Sequence, residues 1–562
     1  MNILSICDGH NSSVALSQNG IIKFAISEER LVREKNFFGW PAFSLKYIDD
    51  NFIKIKDLDL VVMYREDVAD YLAFLIPEHI DDASKKRLWK KTITRISLRM
   101  RKFLNFNFFK RKLIKYYADK LQINKDRVIL LNHHKSHAVA AFSEIDLTHD
   151  WLHFVFDAEG DGVSASVFRS KKDNLVLLTN TDRYNSLGHF YSQITSFLGM
   201  KPNQHEFKVM GLEPYADRNS NGFKSCYKKF KKIIIVNNGV AKFMVSPTTR
   251  KFGSFLKKNF SYERFDNIAA AAQVILEDTV IELVSYWVKK VGIKKVSFSG
   301  GVAMNVKLMQ LIYEQEFIEE IYVVPSSGDE SCVIGGCNHG NLISGIPLKQ
   351  LNNLYLGVIR NFNNEIEQIK KKEKSLIFEY ILDINECVSE LLFQGNVVAR
   401  VCGRDEFGAR ALGNRSILAN PYKGEVIDLI NKQVKNRDFW MPFTPSILND
   451  YRDELVYNPK KFNAHYMNIT FHSTSFAKDK MPAALHPWDK TVRPQFVTMA
   501  HNKDYYELIQ KFNKKSGIPA LLNTSYNLHG DPNVSSASDA IEAFKKSGLK
   551  FLQIENFLIK KN

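Results

Sequence analysis

The sequence predicts a mixed α/β and α+β protein of at least two domains, the first of them built by duplication. Its 562 residues exceed what one hydrophobic core usually serves. An apolar strand, a short polar turn and a second strand occur at the start, in NILSICDG and SSVALSQNGIIKFAISEER. The pattern returns at 151–169 as WLHFVFDAEGDGVSASVFR. The predicted units are residues 1–350 and, beginning with a linker, residues 351–562.

Glycine-rich turns follow several of the predicted strands. VSFSGGVAMNVKLM (296–309) is a strand, a double glycine and a helix start, where backbone N–H groups can bind phosphate. VVPSSGDESCVIGGCNHG (323–340) repeats the strand and acidic turn. With the two strand–turn–strand units, these turns predict a nucleotide or acyl-phosphate site in the first unit. Two such units in one chain resemble a duplicated actin-like (ASKHA) fold.

Three histidines stand within five positions in HHKSHAVAAF (133–142). On a helix, His133 and His137 share a face, whereas His134 is turned about 100° away. Two imidazoles one turn apart can hold a metal ion. A solvated or capped histidine pair is the alternative, and a carboxylate ligand from elsewhere must decide between them.

The basic charge is concentrated in one insert. The net charge is +17, and residues 85–118 contain thirteen Lys or Arg and no Asp or Glu. Within the predicted helical insert 84–126, this stretch is typical of basic amphipathic helices that bind an anionic membrane surface, an acidic glycan or nucleic acid. A solvated helix hairpin explains it equally well.

Other features favour a reduced, cytoplasmic location. The N-terminus has no basic segment leading into a long apolar one, so no secretory signal is expected. No stretch approaches 18 uncharged apolar residues. Six cysteines are scattered without a CxxC pair.

Cationic and amide side chains recur in the loops of the second unit. They lie in GRDEFGARALGNRSILANP (403–421), KNRDFWMPFTPSI (435–447), TVRPQFVTMA (491–500) and IPALLNTSYNLHGDP (518–532). Solvated surface arginines explain any single cluster, but four clusters together predict an anionic substrate.

These blocks together resemble the NodU/CmcH family of O-carbamoyltransferases over nearly the whole chain. The resemblance includes HNSSVAL, SEERLVREK (27–35), HHKSHAVAAF, SLGHFYSQITSFLG (186–199), HEFKVMGLEPY (205–215), SGGVAMN (299–305) and SSGDE (326–330). It implies an actin-like N-terminal domain and a YrdC-like twisted-sheet C-terminal domain. The implied reaction forms carbamoyl adenylate from carbamoyl phosphate and ATP, with Mg²⁺, and transfers the carbamoyl group to a hydroxyl.

The resemblance also assigns roles to residues. It implies a divalent transition metal, Fe²⁺ first and Zn²⁺ or Mn²⁺ as alternatives, on His133, His137, Asp329 and Asp157. His10 is the candidate general base, with a turn-capping histidine as the alternative. The candidate catalytic residues are His10, Asp157, Lys435 and Arg437, and the candidate ligand-binding residues are Lys208, Gly300, Gly301, Asn305, Arg410, Arg415, Arg493, Asn523, Ser525 and Asn527.

The expected partners are ATP, carbamoyl phosphate and a hydroxyl-bearing glycan or small molecule. The basic insert suggests peripheral contact with an anionic membrane, and an oligomer is compatible with the sequence. A tRNA threonylcarbamoyl-type enzyme is the alternative function. It is less favoured because the insert lacks the aromatic platforms of RNA-binding modules.

Overall fold

Two five-stranded sheets with the same strand order form the N-terminal half. The computed structural model describes residues 1–64, 106–435 and 438–561. The first sheet has the order β3-β2-β1-β4-β5, in which β1–β3 are an antiparallel meander and β4 and β5 add in parallel. Its strands are β1 (Asn2–Cys7), β2 (Ser13–Gln18), β3 (Ile21–Ser27), β4 (Leu60–Met63) and β5 (Val128–Leu130).

The second sheet repeats this topology as β8-β7-β6-β11-β12. Strands β6–β8 are antiparallel, and β11 and β12 add in parallel beside β6. The repeat confirms the predicted duplication. The strands are β6 (Trp151–Gly160), β7 (Val163–Lys171), β8 (Asn174–Asp182), the separate hairpin β9 (Ile234–Asn237) and β10 (Val240–Phe243), β11 (Lys295–Ser299) and β12 (Glu320–Val323).

Helices connect and cover these sheets. They are α1 (Glu29–Val32), α2 (Ala42–Asn51), α3 (Phe106–Leu121), α4 (His133–Val139), α5 (Leu187–Phe197), α6 (Glu206–Leu212), α7 (Asn221–Lys231), α8 (Arg250–Phe260), α9 (Phe265–Val291), α10 (Val306–Glu314) and α11 (Cys332–Ile343). Among the described residues, no helix is both long and apolar enough to cross a membrane.

The described part of the predicted basic insert 84–126 includes helix α3, which packs on the core. Leu113, Tyr117 and Leu121 are buried in the apolar cluster of the first sheet. The Tyr117 hydroxyl donates to Asp8 at 2.8 Å, beside the turn that carries His10. One face of α3 therefore packs on the core, whereas Arg111, Lys112 and Lys115 are exposed. Residues 85–105 lie outside the described part, and the membrane prediction rests on them.

The C-terminal half is organised around one mixed sheet of eight strands, in the order β13-β22-β21-β14-β15-β20-β16-β19. A twisted-sheet domain was predicted here, and its YrdC-like character stays a prediction, as does the boundary at 350/351. The strands are β13 (Leu376–Tyr380), β14 (Val398–Val401), β15 (Arg415–Ala419), β16 (Thr444–Leu448), the separate pair β17 (Phe471–His472) and β18 (Thr491–Val492), β19 (Gln495–Val497), β20 (Ala520–Ser525), β21 (Phe551–Ile554) and β22 (Phe557–Lys561).

The two halves share a continuous apolar core. One cluster of buried side chains includes Phe154 and Phe298 from the second N-terminal sheet and Ile417 and Leu521 from the C-terminal sheet. The helices of the C-terminal half are α12 (Phe362–Lys372), α13 (Ile384–Phe393), α14 (Glu425–Ile430), α15 (Arg452–Leu455), α16 (Ser475–Lys480), α17 (Lys503–Ser516) and α18 (Ala537–Lys546).

Candidate active site

Helix α4 presents the predicted histidine pair. The Asn132 side chain accepts a hydrogen bond from the Lys135 amide at 3.1 Å and so caps the helix. Asp161, in the β6–β7 turn, accepts from the His133 amide at 2.7 Å and fixes the helix start against the second sheet. The i, i+4 spacing then brings the two imidazoles together, with 3.1 Å between their Nε2 atoms. The predicted helical pairing is present.

Two aspartates complete a four-residue cluster. His133 Nε2 lies 3.4 Å from Asp157 Oδ2 and 3.6 Å from Asp329 Oδ1. His137 Nε2 lies 3.8 Å from the same Asp329 oxygen. Donors of a tetrahedral ion at about 2.1 Å lie about 3.4 Å apart, so these separations suit one divalent ion. The structure therefore brings together all four residues predicted as metal ligands.

Each carboxylate is delivered by the end of a strand. Asp157 lies in β6, and its Oδ1 accepts from the Gly301 amide at 3.0 Å. Asp329 begins a short 3-10 turn after β12. Behind the cluster, α4 and α11 cross so closely that a Cβ on Gly335 would overlap the Ser136 carbonyl. Because the parallel strands β11 and β12 extend the sheet from β6, residues about 170 apart in sequence meet at one edge.

The cluster is electrostatically coupled. Burial alone would lower the pKa of His133, but Asp329 and Asp157 outweigh it and raise that pKa to about 9. Burial likewise opposes ionisation of Asp157 and Asp329, yet the histidines hold the pKa of both below the ordinary value. The two carboxylates thus attract positive charge, which a proton or a metal ion can supply.

His134 has a separate, structural role. Its ring lies between the Ser166 hydroxyl at 3.0 Å and the Val163 carbonyl at 3.1 Å. Burial lowers the pKa of His134 to about 3, so the ring is neutral. The side chain buttresses β7 and does not join the cluster, as its angular offset predicts.

A cavity of about 500 Å³ opens beside the carboxylates. The half-buried His10 lines it, and its role as general base stays a prediction. Arg410 reaches it from the C-terminal half, and within the described chain its guanidinium has no hydrogen bond or ion pair. The wall includes both polar and apolar side chains, among them His10, Asp157, Glu159, His189, Asp329, Arg410, Phe207, Met210, Leu276 and Met304.

Glu159 and His189 are cavity residues that the sequence analysis missed. Glu159 pairs with Arg183 at 2.6 Å and approaches His189 Nε2 at 3.7 Å. Both lie inside quoted blocks, in FDAEGDG and SLGHFYS, but nothing in their local spacing linked them. They place hydrogen-bonding groups at a partly exposed part of the wall.

The double-glycine turn at Gly300 and Gly301 has a mainly structural role beside the site. Gly300 has φ +87, and a Cβ there would overlap the Phe156 carbonyl. The Gly301 amide is used by Asp157, and the Asn305 side chain caps α10 by accepting from the Leu308 amide at 3.0 Å. Gly301 and Asn305 still line the cavity. Lys208 does not; it pairs with Asp438 at 2.9 Å.

A second polar cluster forms in the C-terminal half. The Lys435 ammonium donates to Ser525 Oγ at 3.1 Å and to Asn527 Oδ1 at 2.7 Å. The structure therefore brings the candidate residues Lys435, Ser525 and Asn527 into contact. Arg437 lies outside the described residues. Arg493 follows β18 with a partly buried side chain.

Arg415 and Asn523 are engaged internally. All five N–H donors of Arg415 meet acceptors within the fold, at the carbonyls of Cys402, Gly403, Asn414 and Ser535 and at Asp405. Asn523 is 1% exposed and donates to the Ala411 carbonyl and Ser446. In this arrangement the Arg415 guanidinium has no donor left for a ligand.

Two family models together match most of the chain. Carbamoyltransferase N-terminus matches residues 2–337, and Carbamoyltransferase C-terminus matches residues 389–561. An uncharacterized protein of Methanocaldococcus jannaschii is 33% identical, covering 100% of this chain and 99% of its own. Nodulation protein NolNO of Sinorhizobium fredii is 28% identical, covering 98% and 79%. Nodulation protein U of Rhizobium tropici is 29% identical over 45% of this chain and 41% of its own.

Solved structures resemble parts of the chain at low identity. HypF of T. kodakarensis has a TM-score of 0.33 and 14% identity, covering 61% of this chain and 48% of HypF. The activator of 2-hydroxyisocaproyl-CoA dehydratase from Clostridium difficile has a TM-score of 0.32 and 15% identity, covering 66% and 98%.

Proposed function

The chain belongs to the carbamoyltransferase family, which confirms the resemblance found in its sequence, and on that premise we propose the reaction that it catalyses. It forms carbamoyl adenylate from carbamoyl phosphate and ATP, then transfers the carbamoyl group to a hydroxyl of a sugar or natural product. The carrying observation is the cavity lined by both aspartates of the four-residue His/Asp cluster and by Arg410 from the other half of the molecule.

His133, His137, Asp157 and Asp329 would hold one divalent transition metal. Two imidazoles and two carboxylates suit Fe²⁺, Zn²⁺ or Mn²⁺ better than Ca²⁺ or Mg²⁺, and their mutual distances fit one ion. A bound ion would supply Lewis acidity toward a carbonyl oxygen. The Gly301 amide and the cap of α4 hold the donors in place.

The first half-reaction would use the C-terminal polar cluster. Carbamoyl phosphate, water and ATP give carbamoyl adenylate, phosphate and pyrophosphate, so several anionic groups must be gathered. Lys435, held by Ser525 and Asn527, offers a positioned cation for them. Arg437 and Arg493 are proposed to add to it, and Mg²⁺ would accompany ATP.

The second half-reaction would occur in the cavity. The acceptor oxygen attacks the carbamoyl carbon, the bond from that carbon to the phosphate oxygen breaks, and AMP leaves with the electron pair. His10 is proposed to take the acceptor proton. Arg410 faces the same space and would stabilise the negative charge on the departing phosphate.

The polar wall supports a hydroxyl-rich acceptor. Glu159, His189 and Asn203 line the cavity with His10 and offer both donors and acceptors of hydrogen bonds. Such a site should bind an acceptor with several hydroxyls more tightly, because each polar group of the wall left without a hydrogen-bond partner would weaken binding. A glycan therefore remains the favoured acceptor class over tRNA.

The test measures both half-reactions. Pyrophosphate release should require carbamoyl phosphate and ATP together. Mass spectrometry of surface glycans from cells with and without the gene should show a carbamoyl mass difference. In parallel, purified protein is incubated with tRNA, where we expect no modification. Pyrophosphate release that is independent of carbamoyl phosphate, or carbamoylation of tRNA alone, would contradict the proposal.

A further inference from the structure

Cys332 lies beside the histidine pair but outside the donor set used above. Its Sγ and one ring nitrogen each of His133 and His137 lie within 4.8 Å of one another. The side chain is fully buried. Cys332 begins α11, three residues after Asp329, so the turn that delivers the carboxylate also delivers the thiol.

We propose that Cys332 is a further ligand of the metal held by His133 and His137, and that it makes this site selective for thiophilic ions. The inference rests on the proposed metal-binding role of the histidines. Binding replaces the S–H bond by a sulfur–metal bond and releases the proton to solvent. Thiolate favours Zn²⁺ and Fe²⁺ over Mn²⁺ and Mg²⁺, which prefer oxygen donors.

In this arrangement the Cys332 thiolate takes the place of one of the two carboxylates in the His/Asp donor set, so the charge of the site is unchanged. A divalent ion with two neutral imidazoles, one thiolate and one carboxylate has no net charge, which is the favourable state for a buried site. Asp157 and Asp329 both lie close enough to the histidines to supply that carboxylate. The second aspartate then remains free to face the cavity.

The same helix provides a contrasting cysteine. Cys337 is also fully buried in α11, but its Sγ faces the Ala15 carbonyl at 3.3 Å and the Ile3 carbonyl at 3.7 Å. It is a packing residue of the sheet–helix interface. Cys337 is therefore a matched control for Cys332, with the same residue type, helix and burial.

The experiment uses the purified full chain, stripped of metal and reloaded with Co²⁺. Visible d–d bands report cobalt binding, and a near-ultraviolet sulfur-to-cobalt charge-transfer band reports a thiolate ligand. We expect both in the wild type and in Cys337→Ala. In Cys332→Ala the visible bands should remain and the charge-transfer band should be lost; Cys332→Ser serves if the alanine variant does not fold.

Competition titrations test the selectivity. The ratio of Zn²⁺ to Mn²⁺ affinity should fall roughly 10-fold to 100-fold in Cys332→Ala, the range seen when a supporting metal contact is removed. It should be unchanged in Cys337→Ala.

The outcomes separate the proposals. A cobalt-loaded wild type without the charge-transfer band, or a Cys332 variant that keeps it, overturns the ligand assignment alone. Failure of the wild type to bind cobalt overturns the assignment together with the histidine metal site. Carbamoyl transfer is judged separately, by pyrophosphate release and product mass.

Discussion

The His/Asp cluster beside the cavity and the cluster around Arg415 are both buried and charged, but their polar atoms are satisfied in different ways. Arg415 meets four carbonyls and the Asp405 carboxylate, so every donor has an acceptor of opposite polarity. In the His/Asp cluster, two nitrogen atoms 3.1 Å apart face two carboxylates that attract positive charge. The first arrangement is complete as a structural element, whereas the second is arranged to take up a cation.

The largest expected effect would separate the two clusters by function. His137→Ala and Asp329→Ala should each reduce bound transition metal to background and abolish carbamoyl transfer. Adenylate formation should survive, because we propose that it uses Lys435 and its partners. Metal analysis and pyrophosphate release measure the two outcomes. His134→Ala is the control, since His134 lies outside the cluster, and it should retain the metal. Full metal content in His137→Ala would rule out the site.

Arg415→Ala should act on stability. It leaves Asp405 and several carbonyls buried without their partner, a loss of about 3–5 kcal/mol in the free energy of unfolding for a broken buried pair. Thermal unfolding followed by circular dichroism measures it. Arg415→Lys should recover only part of the loss, because an ammonium cannot reach five acceptors. An unchanged midpoint would mean that this cluster is not structural.

The next expected effect is on the rate of adenylate formation at the Lys435 cluster. Asn527→Ala removes an acceptor of the Lys435 ammonium and should slow pyrophosphate release by about 100-fold to 1,000-fold, typical of a lost charge-stabilising group. Metal content should not change. Asn364→Ala, on an exposed part of α12, is a control that should retain full activity. Normal turnover in Asn527→Ala would place adenylation elsewhere.

An ion-pair cluster at the junction between the halves should give a smaller, pH-dependent effect on thermal stability. Lys307 bridges Glu213 and Asp489. Burial alone would raise the pKa of Asp489, but His486 and Lys307 lower it below the ordinary 3.8. A lowered carboxylate pKa stabilises the fold above pH 3.8, and this contribution is lost as pH falls toward the folded-state pKa. The wild type should therefore exceed Asp489→Asn in thermal midpoint at pH 5, with the gap closing below pH 3.8.

The smallest effect on either cluster should come from deleting residues 85–105. This removes nine of the thirteen cations of the insert and leaves the packed helix α3 intact. Metal content and pyrophosphate release should be unchanged. Sedimentation with anionic vesicles should be lost, because each cation near such a surface contributes about 1 kcal/mol. Continued sedimentation of the deletion variant would end the membrane hypothesis.

Local spacing and repeated patterns predicted much of the site. The His133–His137 pair depends on four residues of one helix, and the duplicated topology depends on strand–turn patterns visible in the sequence. Asp157 and Asp329 were predicted as ligands only through the family resemblance, because no local pattern links residues so far apart. The engagement of Arg415 could not be predicted, since one of its acceptors, Ser535, is 120 residues away. The same holds for Cys332, whose role depends on how α11 crosses α4.

Strand β13 pairs with β22, and Glu379 and Lys560 on these neighbouring strands are 181 residues apart. The pairing has a consequence for how the protein is made. The chain loses conformational entropy on closing a loop of this length before the strand pairing can stabilise the fold. Sheets rich in such distant contacts therefore fold slowly. During synthesis, the apolar residues of β13 and β14 therefore stay exposed until β21 and β22 have been made. Chaperones that shield exposed strands should raise the yield of active protein.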